Sequence, residues 1–252
     1  MLLTSAGIRN ETLKAALADL LGKSFSASRA VYIPTASFAE SGDHGWVVDD
    51  LTRLRGLRWR EFDILELNGL PADLVLSRLR NADLIYAGGG NHYHLANSIT
   101  ANGLAAEMAD ILDSKVYAGV SAGSMIFSRH LSEPTGQAFG EQDDLRILGE
   151  TPVRSPFGFF DWYLKPHLNS SDFPNRTRSW FEKAAAKLDF PVYAVDDRSA
   201  VRVRGDAVDV VSDGKWLLLN PPPGQSAGGT EPGRPRSGKS GRFPGFRGRR
   251  QG

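Results

Sequence analysis

The chain contains no cysteine. That excludes disulfides and thiolate metal sites, and it leaves serine or threonine to carry any covalent hydrolytic chemistry. Long apolar runs are missing too: none approaches the ~20 residues of a membrane-spanning helix. Met1-Leu2-Leu3 lacks the basic flank and apolar stretch of a signal peptide. These absences predict a soluble, cytoplasmic protein with no membrane partner. Net charge is small as well, at +1, but it is unevenly placed. Residues 221–252 hold seven Arg or Lys and only Glu231 as an acid, so residues 1–220 carry 23 basic and 28 acidic side chains. The body is mildly acidic and the tail basic.

The 252 residues, 41% of them hydrophobic, suffice for a single core. Short apolar runs at 2–4, 30–33, 62–67, 84–87 and 116–118 read as strands, most of them apolar enough to be buried on both faces. Segments of helical period separate them. Between Thr12 and Leu21, Leu13, Ala16, Leu17, Leu20 and Leu21 share a stripe, and Val47, Asp50, Leu51 and Leu54 share one between Trp46 and Leu57. The alternation predicts an α/β fold with a mostly parallel sheet flanked by helices on both faces. Residues 133–150 are polar and read as a loop or irregular lid. Runs at 192–195, 200–203, 207–211 and 216–219, punctuated by turn residues, predict C-terminal β-hairpins. Residues 1–220 are thus expected to form one domain. From Pro221-Pro222-Pro223 onward the chain is rich in Gly, Pro and Arg and is expected to be disordered. Phe243 and Phe246 lie among its arginines, a composition compatible with RNA contact, but a solvated tail without a nucleic-acid partner is the simpler expectation.

Two glycine motifs carry chemistry. Val116 to Ala118 runs into Gly119-Val120-Ser121-Ala122-Gly123, a Gly-x-Ser-x-Gly turn leading into the helix-compatible segment 125–129. Such a turn lifts a serine hydroxyl above the sheet edge, which makes Ser121 the candidate nucleophile. Leu84 to Ala87 runs into Gly88-Gly89-Gly90-Asn91. Three glycines leave backbone N–H groups uncovered, as a phosphate or an oxyanion requires. The sequence matches neither Gly-Lys-Ser/Thr nor Gly-x-Gly-x-x-Gly, so an oxyanion hole is the better fit. Ala122 would supply one donor and Gly89 or Gly90 the other.

Of the five histidines, His167 is best placed as a general base, because it ends an aromatic run at Pro166-His167 and opens a polar loop. His92 and His94 follow the glycine loop but cannot share a helix face. Asp196 and Asp197 follow the apolar run 192–195, and either is positioned to orient the imidazole.

Together, Leu2-Leu3-Thr4-Ser5-Ala6-Gly7, Gly88-Gly89-Gly90-Asn91, Gly119-Val120-Ser121-Ala122-Gly123-Ser124, Pro166-His167 and the late Asp-containing strand resemble the serine peptidase family of peptidase E (aspartyl dipeptidase) and cyanophycinase. The resemblance spans about residues 1–219. It implies a flavodoxin-like, class I glutamine amidotransferase-like fold with the chain order Ser, His, acid. Carried over, it makes Ser121 nucleophile, His167 base, Asp197 the acid in a place where the family commonly has Glu, and Gly89 and Ala122 the oxyanion donors. It implies substrate contacts from Asn91, Arg176 and Arg178, a small peptide substrate of the Asp-Xaa type, no metal and no cofactor. Cyanophycin-like β-linked Asp-Arg substrates and a catalytically silent binding module are the alternatives. A monomer or homodimer is the expected assembly.

Overall fold

A computed structural model describes residues 1–224 and 241–242. Strands β1 (Leu2–Thr4), β2 (Arg29–Ile33), β3 (Glu61–Ile64), β4 (Leu84–Ala87) and β5 (Val116–Val120) form the parallel part of the main sheet, in the spatial order β3-β2-β4-β5-β1. Helices α1 (Glu11–Leu21), α2 (Gly45–Arg55), α3 (Ala72–Asn81), α4 (His92–Ala101) and α5 (Ala105–Leu112) make the crossovers. Parallel neighbours need such crossovers, because a tight turn cannot return the chain in the same direction.

Strand periodicity assigns the two faces. On β4, Leu84 and Tyr86 pack toward α1 and α2 with Leu13, Leu17, Val47 and Leu54. Ile85 and Ala87 point the other way, into the larger core with Val75 and Leu79 of α3, Ile99 of α4 and Met108 of α5. β1, β2 and β4 are buried almost throughout, as their apolar sequences predict, whereas β3 is an edge strand with half-exposed residues and ends at Ile64 instead of Leu67. Local chemistry sets the helix ends: the Asn10 side chain accepts from Leu13 N–H at the start of α1, and Gly22 ends it in the left-handed region at φ 66°.

Past β5 the chain makes a single helical turn, α6 (Ala122–Met125), so the helix ends where the sequence suggested it would continue. The polar stretch read as a loop instead holds the short helices α7 (Glu133–Ala138) and α8 (Gln142–Leu145). Ser132 caps α7 by accepting from Thr135 N–H. Helices of one or two turns are too short to show a periodicity.

The last strands rearrange the expected hairpins. β6 (Tyr163–Pro166) precedes α9 (Arg178–Ala185) and β7 (Val192–Val195). β8 (Ser199–Arg204) and β9 (Ala207–Ser212) do form a hairpin, but it joins the main sheet beside β1. β10 (Trp216–Leu219) pairs antiparallel with β7, which pairs parallel with β6, giving a second sheet of three strands. The Val192 and Trp216 runs are thus partners across an intervening hairpin. Most of the tail expected to be disordered lies outside the described residues; within it, β11 (Gly241–Arg242) pairs with Val208 and Ala207 at the sheet edge.

Candidate active site

The carboxyl ends of β1, β4 and β5 are adjacent, the usual place for a binding site in an open parallel sheet. Ser121 sits at the end of β5 with φ 46° and ψ −106°, a conformation a side-chain-bearing residue holds only where its surroundings impose it. The surroundings are close. A Cβ on Gly123 would stand 2.3 Å from the Ala87 carbonyl oxygen, and one on Gly119 2.6 Å from the Gly123 backbone. Only glycine lets the turn fold this tightly against β4. The end of β1 fixes it from the other side: Ser121 N–H donates to Thr4 O at 3.1 Å and Ser124 Oγ to the same oxygen at 2.8 Å.

His167 approaches from the second sheet. It follows β6, has φ 69°, and places Nε2 3.0 Å from Ser121 Oγ. Its Nδ1 lies 2.8 Å from Asp197 Oδ1. Ser5 Oγ and Ser170 Oγ also donate to Asp197, at 2.7 and 2.5 Å, and Ser5 Oγ accepts from His167 N–H at 2.8 Å. Burial of Asp197 opposes its ionisation, but the contacts with His167, Ser170 and Ser5 outweigh it and hold the carboxyl well below the usual range. Burial likewise pushes the His167 imidazole below its ordinary value, against the pull of Asp197. A neutral ring beside an ionised carboxylate carries its proton on Nδ1, which leaves the Nε2 lone pair facing the Ser121 hydroxyl. This is the geometry of an activated nucleophile.

Of the two neighbouring aspartates only Asp197 reaches the imidazole. Asp196 folds into a turn, accepting from Ser199 Oγ, Arg198 N–H and Lys215 N–H. Gly89 lies beside the serine: a Cβ on it would be 3.7 Å from Ser121 Cβ. Among the described residues neither Gly89 N–H nor Ala122 N–H is taken by a backbone acceptor outside the regular elements. Gly90 turns the loop at φ 124° and packs against Ala36, while the next residue donates to Ala36 O.

The three residues expected to bind substrate separate. Arg176 is half-buried, with its guanidinium 4.1 Å from the centre of the Phe173 ring, which stacks on His167 at 4.4 Å. Burial lowers the Arg176 pKa against the pull of Glu141, Asp144 and Asp197, and its charge in turn disfavours a protonated His167. Arg178 instead pairs with Glu182 one turn along α9, and its side chain is 68% exposed. Asn91 caps α4: its Oδ1 accepts from His94 N–H, and its Nδ2 donates to Asp144 O. Arg178 and Asn91 are therefore engaged in helix-surface pairing and capping, roles that local sequence does not distinguish from substrate contact.

Sequence reasoning missed a buried polar cluster formed by residues of β6, α4 and the loop between α7 and α8. Lys165 on β6 and Glu141 are ion-paired at 1% and 5% exposure; Tyr93 Oη donates to Glu141 at 2.9 Å, and His92 Nε2 lies 3.6 Å from it. Burial of Glu141 opposes ionisation, yet the Lys165 ammonium above all, with the Tyr93 hydroxyl, holds its pKa below the ordinary range. Burial lowers His92 to about 4, so it is neutral within the cluster. Ser5 and Ser170 were equally unforeseen; the one available signal was the position of Ser5 just past the carboxyl end of a predicted parallel strand.

The profile of peptidase family S51 matches residues 1–211. An uncharacterized peptidase of Pasteurella multocida is 26% identical over 69% of this chain and 81% of its own length. A peptidase E of Shewanella baltica is 26% identical over 75% of this chain and 76% of its own. Among solved structures, that of a peptidase from an acI-B1 actinobacterium superposes with a TM-score of 0.65 at 21% identity, covering 96% of each chain. That of a Listeria monocytogenes protein provisionally assigned to peptidase E gives 0.67 at 22%, covering 84% of this chain and 96% of its own. At such identities the two structures share the fold.

Proposed function

The chain belongs to peptidase family S51, and we propose that it hydrolyses small peptides, Asp-Xaa dipeptides foremost, through an acyl-enzyme formed on Ser121. The observation that carries this reading is the line from Ser121 Oγ through both nitrogens of His167 to Asp197, at 3.0 and 2.8 Å. His167 Nε2 takes the hydroxyl proton as Ser121 Oγ attacks the scissile carbonyl. Asp197 stabilises the resulting imidazolium without itself becoming protonated. The oxyanion forms toward Gly89 N–H and Ala122 N–H. His167 then returns the proton to the departing amine. Water attacks the ester by the same route in reverse, which frees the acid and restores the serine.

Arg176 supplies the preference for an acidic residue. It is a half-buried cation with no side-chain carboxylate bonded to it among the described residues, and it stacks on Phe173, the ring that itself stacks on the His167 imidazole. A guanidinium so placed accepts a substrate carboxylate in bidentate fashion.

The test combines labelling with turnover. Wild-type protein should release Xaa from Asp-Xaa peptides and react covalently at Ser121 with a fluorophosphonate, and Ser121→Ala should do neither while retaining its fold by circular dichroism. Equal hydrolysis by the two proteins overturns the reading. Cleavage of β-linked Asp-Arg polymer in preference to dipeptides would move the substrate class but keep the chemistry.

A further inference from the structure

Across the Gly89 backbone from the nucleophile stands an aromatic side chain that the chemistry above does not use. Trp46, the second residue of α2, is 39% exposed. The point where a Cβ on Gly89 would sit lies 3.4 Å from Trp46 Cζ3 and 3.7 Å from Ser121 Cβ. The indole and the nucleophile therefore border one small space next to an oxyanion donor. His44 backs the indole, with ring planes 25° apart and centroids 6.0 Å apart, and its own Nε2 lies 3.1 Å from Ser37 O. Phe38 adds a second exposed large apolar residue, two positions beyond Ala36, against which Gly90 packs. Single exposed apolar residues are ordinary. An indole held from behind and set beside a serine of this geometry is a wall of the binding cleft.

We infer that Trp46 forms the subsite for the Xaa side chain of an Asp-Xaa substrate and gives the enzyme a preference for apolar and aromatic Xaa. The inference rests on the peptidase reading given above. A dipeptide has two side chains, and the cleft offers two unlike surfaces. The acidic side chain finds its complement in the guanidinium of Arg176, on the His167 side. The uncharged indole on the Gly89 side complements the remaining residue through buried apolar area and ring contact.

Specificity constants for Asp-Gly, Asp-Ser, Asp-Leu and Asp-Phe, measured on wild type, Trp46→Ala and Trp46→Phe, test this. Wild type should favour Leu and Phe over Gly by about tenfold or more, the usual discrimination of an apolar pocket. Trp46→Ala should bring that ratio close to one, and Trp46→Phe, which keeps an aromatic wall, should restore most of it. Because each ratio is taken within one protein, a general loss of activity or of folded protein cancels. A flat wild-type profile, or a ratio unchanged in Trp46→Ala, overturns the subsite while Asp-Xaa hydrolysis itself still stands. A wild type that cleaves none of the four peptides overturns the Asp-Xaa reading and the subsite together, and so separates the two failures.

Discussion

His167 and Asp197 meet because β6 and β7 run parallel with Pro166 opposite Val195, so the two chains leave the small sheet side by side and bring Nδ1 within 2.8 Å of Oδ1. The contact is fixed further by Leu168 N–H donating to Val195 O and by the two serines on the carboxylate.

Asp197→Asn should retain this arrangement and lose the chemistry. An amide that donates to Nδ1 selects the tautomer with its proton on Nε2, which cannot accept from Ser121. We expect kcat to fall by about 10³–10⁴ with little change in KM. Steady-state kinetics on one Asp-Xaa peptide decides it, and a loss below tenfold would remove Asp197 from the relay.

The pH profile should follow from the same pair. His167 must be neutral to take a proton, and burial sets its pKa below the ordinary value of about 6.5. The acid limb of kcat/KM should therefore lie below that value. Asp197, lower still, stays ionised throughout. For both groups the folded pKa is depressed, so the unfolded chain takes up protons first and stability declines as pH falls: through the His167 window below about 6.5, then through the Asp197 window below about 3.9. An acid limb at or above pH 7 contradicts this.

Arg176 and Arg178 should behave differently although only two residues separate them. Arg176→Met removes the half-buried cation and should lower kcat/KM for Asp-Xaa about a hundredfold. Arg178→Met breaks an exposed pair with Glu182 and should leave the constant within about twofold. Equal effects would show that neither arginine selects the substrate.

Lys165→Met should be a stability variant. It strands Glu141 as a buried carboxylate without its cation, at a cost of about 3–5 kcal/mol. Adding Glu141→Gln removes the charge, keeps an acceptor for Tyr93, and should recover much of the loss in urea unfolding.

Much of this was legible in the sequence where the signal is local. The buried runs of β1, β2, β4 and β5 show their class by composition, and Ser121 announces itself through glycines whose absent side chains permit the tight turn. Long-range register was not legible. Nothing near Asp197 separates it from Asp196; the choice depends on which side chain faces β6 and which closes the turn toward Lys215. Ser5 precedes Asp197 by 192 positions and is ordinary in its own segment. The β7–β10 pairing likewise skips a hairpin that looks, by sequence, as though it continues the series.

Ser5, the residue after β1 of the main sheet, holds two groups that lie just past the strands of the small one, the His167 amide and the Asp197 carboxylate. The hydroxyl of Ser121 thus meets its base across a seam, and one serine side chain rivets the halves together there. Any loosening that slides one layer against the other would silence the enzyme while both layers were still intact, so on warming, turnover should disappear ahead of the main melting transition.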